Sequence, residues 1–345
     1  MKQVTYVGMD VHRNWIVAVW KQPQGKERFS VVNNTPDGWE DLVRIVGEGP
    51  IVGAYEASGC GFTLHDWLTK RDWKVWVLAP THLPQSARGR KTKTDLRDAR
   101  KLLDVTMSHG ELGTTLPSVW IPEAKTREDR EIVRRRLSLA EHLTRVKNGI
   151  TSMLEMHGIR RPAELKTLWT QKYVAWVGHV STMSDVAAPV RKALASLLRE
   201  LAFLGEEIER LDVEVKALAE EEGYRRSVHK MTELPGVGTL TAMTYLVELG
   251  DVRRFKNRQK VASYLGLVPS SYESGDANDR KGHITRMGPY RVRKVLNQAA
   301  LAWLRLDEQR HGCYERIAKR RGKKKAIVAM MRRLGIELWH RALAA

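Results

Sequence analysis

Asp10 closes the apolar run Val4–Met9 and Glu56 closes the run Ile51–Tyr55, while Asp95 and Asp98 stand three apart in the basic segment Lys91-Thr92-Lys93-Thr94-Asp95-Leu96-Arg97-Asp98. Carboxylates are hard oxygen donors, and several converging on one point suit Mg²⁺ or Mn²⁺. A pair of such ions can activate one oxygen and stabilise the departing one during in-line displacement at phosphorus. Each acid alone reads more simply as a turn or cap residue, or as an intrahelical ion-pair partner of Lys91, Arg97 or Lys101. The four together favour a catalytic metal site. The neighbouring Arg88, Arg90, Lys91, Lys93, Arg97 and Arg100 are spaced to hold a phosphate backbone over it, with some of them merely solvated.

The elements that must position these acids follow from periodicity. Val4–Val11, Trp15–Trp20 and Arg28–Val32 read as consecutive strands of an antiparallel meander, separated by His12-Arg13-Asn14 and Gln22-Pro23-Gln24-Gly25. Thr35-Pro36-Asp37 supplies a cap and early-turn proline for a helix through about Val46. A buried strand Ile51–Tyr55, a short helix Phe62–Lys70 and a fifth strand Lys74–Leu78 follow. Three strands, helix, strand, helix, strand, helix is the order of an RNase H-like sheet, in which the first and fourth strands are adjacent. That order puts Asp10 beside Glu56, and the three-residue spacing puts Asp95 and Asp98 on one helix face.

From about Glu128 the pattern becomes helical. Leu139, Leu143, Val146, Ile150 and Met153 form one heptad seam, and Leu197, Leu201, Leu204, Ile208, Leu211, Val215 and Leu218 form another. Residues 169–189 read as an irregular or short-helical connection across the tip of the pair. The seams serve either spacing and oligomerisation, with a tip that could touch nucleic acid, or packing within the chain. Leu234-Pro235-Gly236-Val237-Gly238 before Thr239-Leu240-Thr241-Ala242 resembles the hairpin of a helix-hairpin-helix module, whose exposed amides at Gly236 and Gly238 bind phosphate without reading sequence. No strand precedes these glycines, which sets aside a dinucleotide fingerprint.

A second constellation is the loop Leu267–Gly275 followed by Arg280-Lys281-Gly282-His283-Ile284-Thr285-Arg286-Met287-Gly288. Serine before glycine is usually a turn residue. Here the loop is ringed by Arg280, Lys281, Arg286, Arg291 and Arg293, and a serine hydroxyl among cations could attack a phosphodiester and store its energy as a phosphoserine link. No Ser/His/Asp spacing stands out, and His283 alone makes no triad.

The formal charge of +19 implies a polyanionic partner. Residues 253–345 carry 23 Lys or Arg against 7 Asp or Glu, so the last quarter is a binding surface, and Arg316–Arg333 reads as an amphipathic helix for RNA or DNA. Cys60 and Cys313 are the only cysteines, with no metal-finger or disulfide spacing. No apolar segment of signal-peptide type follows Met1, and no apolar stretch reaches about 18 residues, so a cytoplasmic protein without membrane contact is expected. Trp15, Trp20, Trp73 and Trp76 read as core residues.

Gly8-Met9-Asp10-Val11-His12, Tyr55-Glu56-Ala57-Ser58-Gly59, Lys93-Thr94-Asp95 with Asp98-Ala99-Arg100, Leu234–Gly238, Gly266-Leu267-Val268-Pro269, Ser274-Gly275 and Gly322-Lys323-Lys324-Lys325-Ala326, in this order, resemble the DEDD-type transposases of insertion-sequence family one-ten, the bridge-RNA-guided recombinases. The resemblance implies a RuvC-like domain over 1–125 with Asp10, Glu56, Asp95 and Asp98 as Mg²⁺ ligands, a coiled-coil region over 126–224, and a mostly helical transposase domain over 225–345 whose nucleophile corresponds to Ser274. It also implies a structured guide RNA pairing with target and donor DNA, and dimers to tetramers with composite sites. Ser270 and Ser271 lie close enough to Ser274 that the assignment rests on the Ser-Gly pair. The competing readings are a junction-resolving nuclease in which water attacks, and an inert nucleic-acid-binding scaffold.

Overall fold

The computed structural model describes residues 3–83, 94–274 and 277–345, with side chains given outside 271–281. The chain divides into two compact units, Met1–Ile121 and Pro122–Ala345.

The first unit is a five-stranded mixed sheet in the order β3-β2-β1-β4-β5, built from β1 (Thr5–Val11), β2 (Trp15–Lys21), β3 (Arg28–Asn33), β4 (Ile51–Glu56) and β5 (Lys74–Leu78). The first three strands form the expected antiparallel meander, and β4 pairs parallel to β1 with Met9 opposite Tyr55. Between them lie α1 (Pro36–Val46) and α2 (Thr63–Thr69). Thr35 caps α1, its hydroxyl accepting from the Gly38 amide at 3.3 Å. Alternation along each strand sorts side chains onto two faces. Val7, Met9, Ile16, Ala18, Tyr55 and Val77 pack with Leu42 of α1 and Leu68 of α2 on one face. Tyr6, Val17 and Val19 pack with Ala99 and Leu103 of α3 (Asp95–Leu112) on the other.

α3 lies so close to β1 that a Cβ at Gly8 would overlap the Ala99 carbonyl oxygen and the Leu103 amide nitrogen, and one at Gly110 would run into the Tyr6 ring. The two glycines sit on opposite partners, so backbone and ring interlock where side chains would hold the helix off.

The second unit is helical apart from one hairpin. α4 (Ala124–Met156) and α6 (Ala188–Ala219) form an antiparallel pair on the order of 50 Å long at about 1.5 Å per residue. Arg136 grips Asp212 at 2.8 and 2.9 Å, and His142 meets Glu200 at 2.9 Å. Both heptad seams face each other here: Leu139, Val146 and Ile150 are buried with Leu201 and Leu204, capped by Tyr173 and Val177 of the short tip helix α5 (Gln171–Val180). Of the two roles open to the seams, packing within the chain is the one their apolar residues fill.

At the other end of the pair, Val133, Leu137, Val215 and Leu218 enter the main core with α7 (Glu222–Thr232), α8 (Thr239–Leu249), α9 (Arg258–Tyr264), α10 (Tyr290–Leu306) and α12 (Lys323–Leu343). The carboxylate of Glu248, buried on α8, receives both Nε and Nη2 of Arg134 at 2.8 and 2.9 Å, so burial leaves no uncompensated charge. The basic tail is two helices rather than one. α11 (Glu308–Arg321) stops at Gly322, whose φ of +86° only glycine adopts readily, and α12 restarts beyond it. Among the described residues, no helix is long and apolar enough to cross a membrane.

Gly8→Ala is expected to lower stability by about 1–3 kcal/mol or more, because a strand and a helix backbone must separate to admit one methyl. Urea denaturation followed by circular dichroism measures this, and an unchanged midpoint would show that the close approach is not a constraint.

Candidate active site

The approach at Gly8 decides what happens two residues further along β1. Strand and helix run in opposite directions, so the C-terminal end of β1 meets the first turn of α3, where Thr94 caps the helix and Asp95 and Asp98 lie. Acidic side chains are favoured there by the partial positive charge of the helix N-terminus. Asp10 projects from the α3 face of β1, as Gly8 and Tyr6 do. The Met9–Tyr55 register puts Glu56 level with it at the end of β4, on the same face.

Asp10 is 19% exposed and its carboxyl is held above the usual carboxylate range, chiefly because burial penalises its charge. The His12 imidazole opposes that shift, whereas Asp95 and Asp98 reinforce it by like-charge repulsion. The three acids thus act on one another electrostatically, as a metal-binding cluster requires. His12 Nε2 lies 3.1 Å from Asp10 Oδ2 and 3.3 Å from Asp95 Oδ2, and the Trp15 indole donates to that same Asp95 oxygen at 3.4 Å. One donor atom each from Asp10, His12 and Asp95 falls within 4.8 Å of the others, a spacing a single cation can bridge.

The second constellation is a β-hairpin, not the loop expected from its composition. β6 (Pro269–Ser274) pairs with β7 (Ala277–Ile284), and Ser274 faces Ala277 at the hairpin's far end. Its base is clamped. Gly266 and Gly288, both at positive φ, press against the backbone of Met287 and Tyr264, and the Arg293 guanidinium donates to the Leu265 and Gly288 carbonyls at 3.1 and 3.2 Å. Arg293 is therefore part of the hairpin's mount, and Arg291 stacks over Tyr290. Ser270 donates to the His283 carbonyl at 3.1 Å near the base.

Comparison with known proteins covers both regions. A DEDD-type transposase family profile of the IS110 group matches residues 7–158, and the profile described as the transposase IS116/IS110/IS902 family matches residues 228–315. The chain belongs to this family of transposases. It is 24% identical to the transposase for insertion sequence element IS1533 of Leptospira borgpetersenii, over 98% of this chain and 95% of that one. Identity to the pilin gene-inverting protein of Moraxella lacunata is 23%, over 96% and 93%. Candidate transposase y4qE of Sinorhizobium fredii is 27% identical over 71% of this chain, which spans 57% of its length.

Within this transposase the residues singled out from sequence fall into groups. Asp10, Asp95 and Asp98 come together, with Glu56 level with Asp10 on the neighbouring strand. Arg88, Arg90, Lys91 and Lys93 lie outside the described residues, as do the side chains of Ser271, Ser274, Arg280 and Lys281. Arg97 is exposed on α3. Arg100 does not reach over the site: its Nε donates to Glu27 at 2.6 Å. Arg286 is exposed at the hairpin base with a φ of +54°. Gly236, at φ +82°, abuts the α10 backbone at Trp303 N, 2.8 Å from where its Cβ would be, so part of its role is packing. Gly238 is the exposed N-cap of α8, with no side chain capping the amides behind it.

Two residues join the site that their letters alone do not place there. Trp15, expected in the core, is 42% exposed and bonds Asp95, and His12, expected in a turn, contacts both Asp10 and Asp95. The available signal is the Asp-x-His spacing at a strand end, which puts both side chains on one face.

Asp10→Asn is expected to stabilise the metal-free protein at neutral pH. The folded state holds the Asp10 proton more tightly than the unfolded chain does, so stability falls as pH rises from the unfolded value through the raised folded one. The advantage of asparagine should be full above that window and vanish below pH 3.8. Thermal melts from pH 3 to 8 in EDTA test this, and a destabilised variant at pH 7 would contradict it.

Proposed function

We propose that this transposase is an RNA-guided DNA recombinase that cuts and rejoins DNA through a covalent phosphoserine intermediate. The observation that carries the reading is the convergence of one donor atom each from Asp10, His12 and Asp95 within 4.8 Å at the end of β1, with Asp98 in the same first turn of α3 and Glu56 level on β4. Acids that repel one another are held there by the packing of α3, an arrangement that serves a divalent cation better than it serves the fold. The strand order β3-β2-β1-β4-β5 supports assignment of the first unit to the RNase H-like class.

Asp10, Glu56, Asp95 and Asp98 would hold Mg²⁺ or Mn²⁺, which when bound supplies Lewis-acid stabilisation of charge on phosphodiester oxygens. The remaining chemistry belongs to the chain. Ser274 Oγ bonds to phosphorus, the bond from phosphorus to one sugar oxygen breaks, and the proton lost by serine is balanced by one gained by the departing hydroxyl. Attack by the hydroxyl of another strand reverses these changes, releasing serine and resealing the backbone without external energy. Ser270 suits a structural role because its hydroxyl already bonds His283. That one relative is named for inverting a pilin gene accords with cutting followed by rejoining. A tract of 126–224 as helical spacer, assembly into dimers to tetramers with composite sites, and a guide RNA that sets sequence while protein holds backbone complete the proposal.

A cationic surface accompanies it. Lys319, Arg320, Arg321, Lys323, Lys324 and Lys325 are all exposed around the α11–α12 junction, and none is ion-paired among the described residues. Three lysines in the first turn of α12 repel the positive end of that helix, which phosphates would relieve.

Incubation with a scissile DNA and its guide in Mg²⁺ should give a denaturation-resistant protein–DNA adduct. Ser274→Ala should abolish the adduct, and Asp10→Asn or Glu56→Gln should abolish it too. Cleavage that persists in Ser274→Ala would make water the nucleophile, and activity surviving Asp10→Asn would remove the metal site from the mechanism. Replacing Lys323, Lys324 and Lys325 by Ala should flatten the salt dependence of nucleic-acid affinity by about 0.7–0.9 log units per decade of salt for each phosphate no longer neutralised. Fluorescence anisotropy titrations at several salt concentrations measure that slope.

A further inference from the structure

His12 sits at the carboxylate cluster without belonging to the acidic quartet. Its Nε2 is within 3.1 and 3.3 Å of oxygens from two different elements, Asp10 on β1 and Asp95 on α3, and the three donor atoms converge as ligands around one ion do. The residue is also fixed from behind. Its amide donates to the Trp15 carbonyl at 2.9 Å, and its carbonyl accepts from Asn34 Nδ2 at 2.7 Å. Asn34 is in turn held by the Trp39 indole at 2.8 Å, while the Trp15 ring lies 5.3 Å from the imidazole. With its backbone tied at both the amide and the carbonyl, His12 presents its ring from a fixed position, as a ligand on a rigid element does.

We infer that His12 is a nitrogen ligand of the cation held by Asp10 and Asp95, and that it biases this site toward Mn²⁺ over Mg²⁺. In the tautomer protonated at Nδ1, the Nε2 lone pair is available between the two carboxylates. Mg²⁺ demands oxygen donors and sheds water reluctantly, whereas transition-metal ions accept imidazole readily, so one nitrogen in an oxygen set separates the two ions. The inference rests on the metal-site reading above and adds to it a ligand and a selectivity.

The test uses the full-length protein loaded with Mn²⁺ alone. Pulsed EPR should reveal an electron spin coupled to ¹⁴N, and histidine-selective ¹⁵N labelling should convert that coupling to ¹⁵N. His12→Ala should eliminate it and weaken Mn²⁺ binding by about 10- to 100-fold or more in calorimetric titration, since losing even an outer partner of a metal ligand costs about that much. Mg²⁺ affinity should fall less. Trp15→Phe, which removes the bond to Asp95 but no donor nitrogen, should keep the coupling. No nitrogen coupling in Mn²⁺-loaded wild type, a coupling that survives His12→Ala, or equal losses for both ions would overturn the inference. The isotope experiment needs no variant, so misfolding of His12→Ala leaves it decisive. If wild type binds no Mn²⁺, or Asp10→Asn binds it unchanged, the metal-site reading fails and the His12 assignment falls with it.

Discussion

The first unit depends on one close approach, the packing of α3 onto β1 at Gly8. The helix backbone can descend onto the strand only because no Cβ intervenes, and that descent carries Asp95 to the side of Asp10. Two carboxylates with oxygens within 4.8 Å repel by on the order of 3 kcal/mol at an effective dielectric of ~20, less where Asp95 meets solvent. The sheet tolerates this because its two faces are buried independently, Val7, Met9 and Tyr55 on one and Tyr6, Val19 and Leu103 on the other. The repulsion is a local load on a scaffold whose stability comes from elsewhere, and the His12 imidazole between the two carboxylates offsets part of it.

The second unit solves a different problem, which is to project a short hairpin from a helical body. Its strands are rich in serine and charged residues, and the described contacts that fix its direction lie at the base. Two glycines at positive φ let residues 264–266 and 286–288 cross at backbone contact, and Arg293 ties carbonyls from both segments together. Burial disfavours the charge of that guanidinium, as does nearby Arg286, so its hydrogen bonds do the mounting. The α4–α6 pair meets the same core at its other end, where Arg134 reaches the buried Glu248.

The strands were legible because period-two burial leaves a period-two pattern of letters. The order of elements then implied that β1 and β4 are neighbours, and with it the pairing of Asp10 and Glu56. The contacts of Asp95 with His12 and Trp15 were not legible, since they span about 80 residues and follow from how closely α3 packs, which the sequence records only as a glycine. The hairpin was hidden by its composition and by register shifts between Pro269 and Ser271 and between Tyr272 and Ser274, which break the alternation that marks a strand. Heptads revealed the seams but not their partners, because a seam buries equally well against its own chain or another. A glycine inside a run of cations reads as one more polar letter, and only its positive φ shows that the tail is two helices.

Charge ties the parts together. A cluster of acids is a poor place for a polyanion, since each ionised carboxylate repels the phosphate that the proposed function brings to it. The cations proposed for the site would neutralise part of that field only at short range. The long-range attraction must come from elsewhere in the chain, and the excess of 23 basic over 7 acidic residues in 253–345 is of the right sign and size to supply it. Site and surface are therefore not independent features. On the proposed function, the more acidic the cluster, the more cationic the rest of the molecule must be to bring nucleic acid to it, and the net charge of +19 is what remains after the acids have been subtracted.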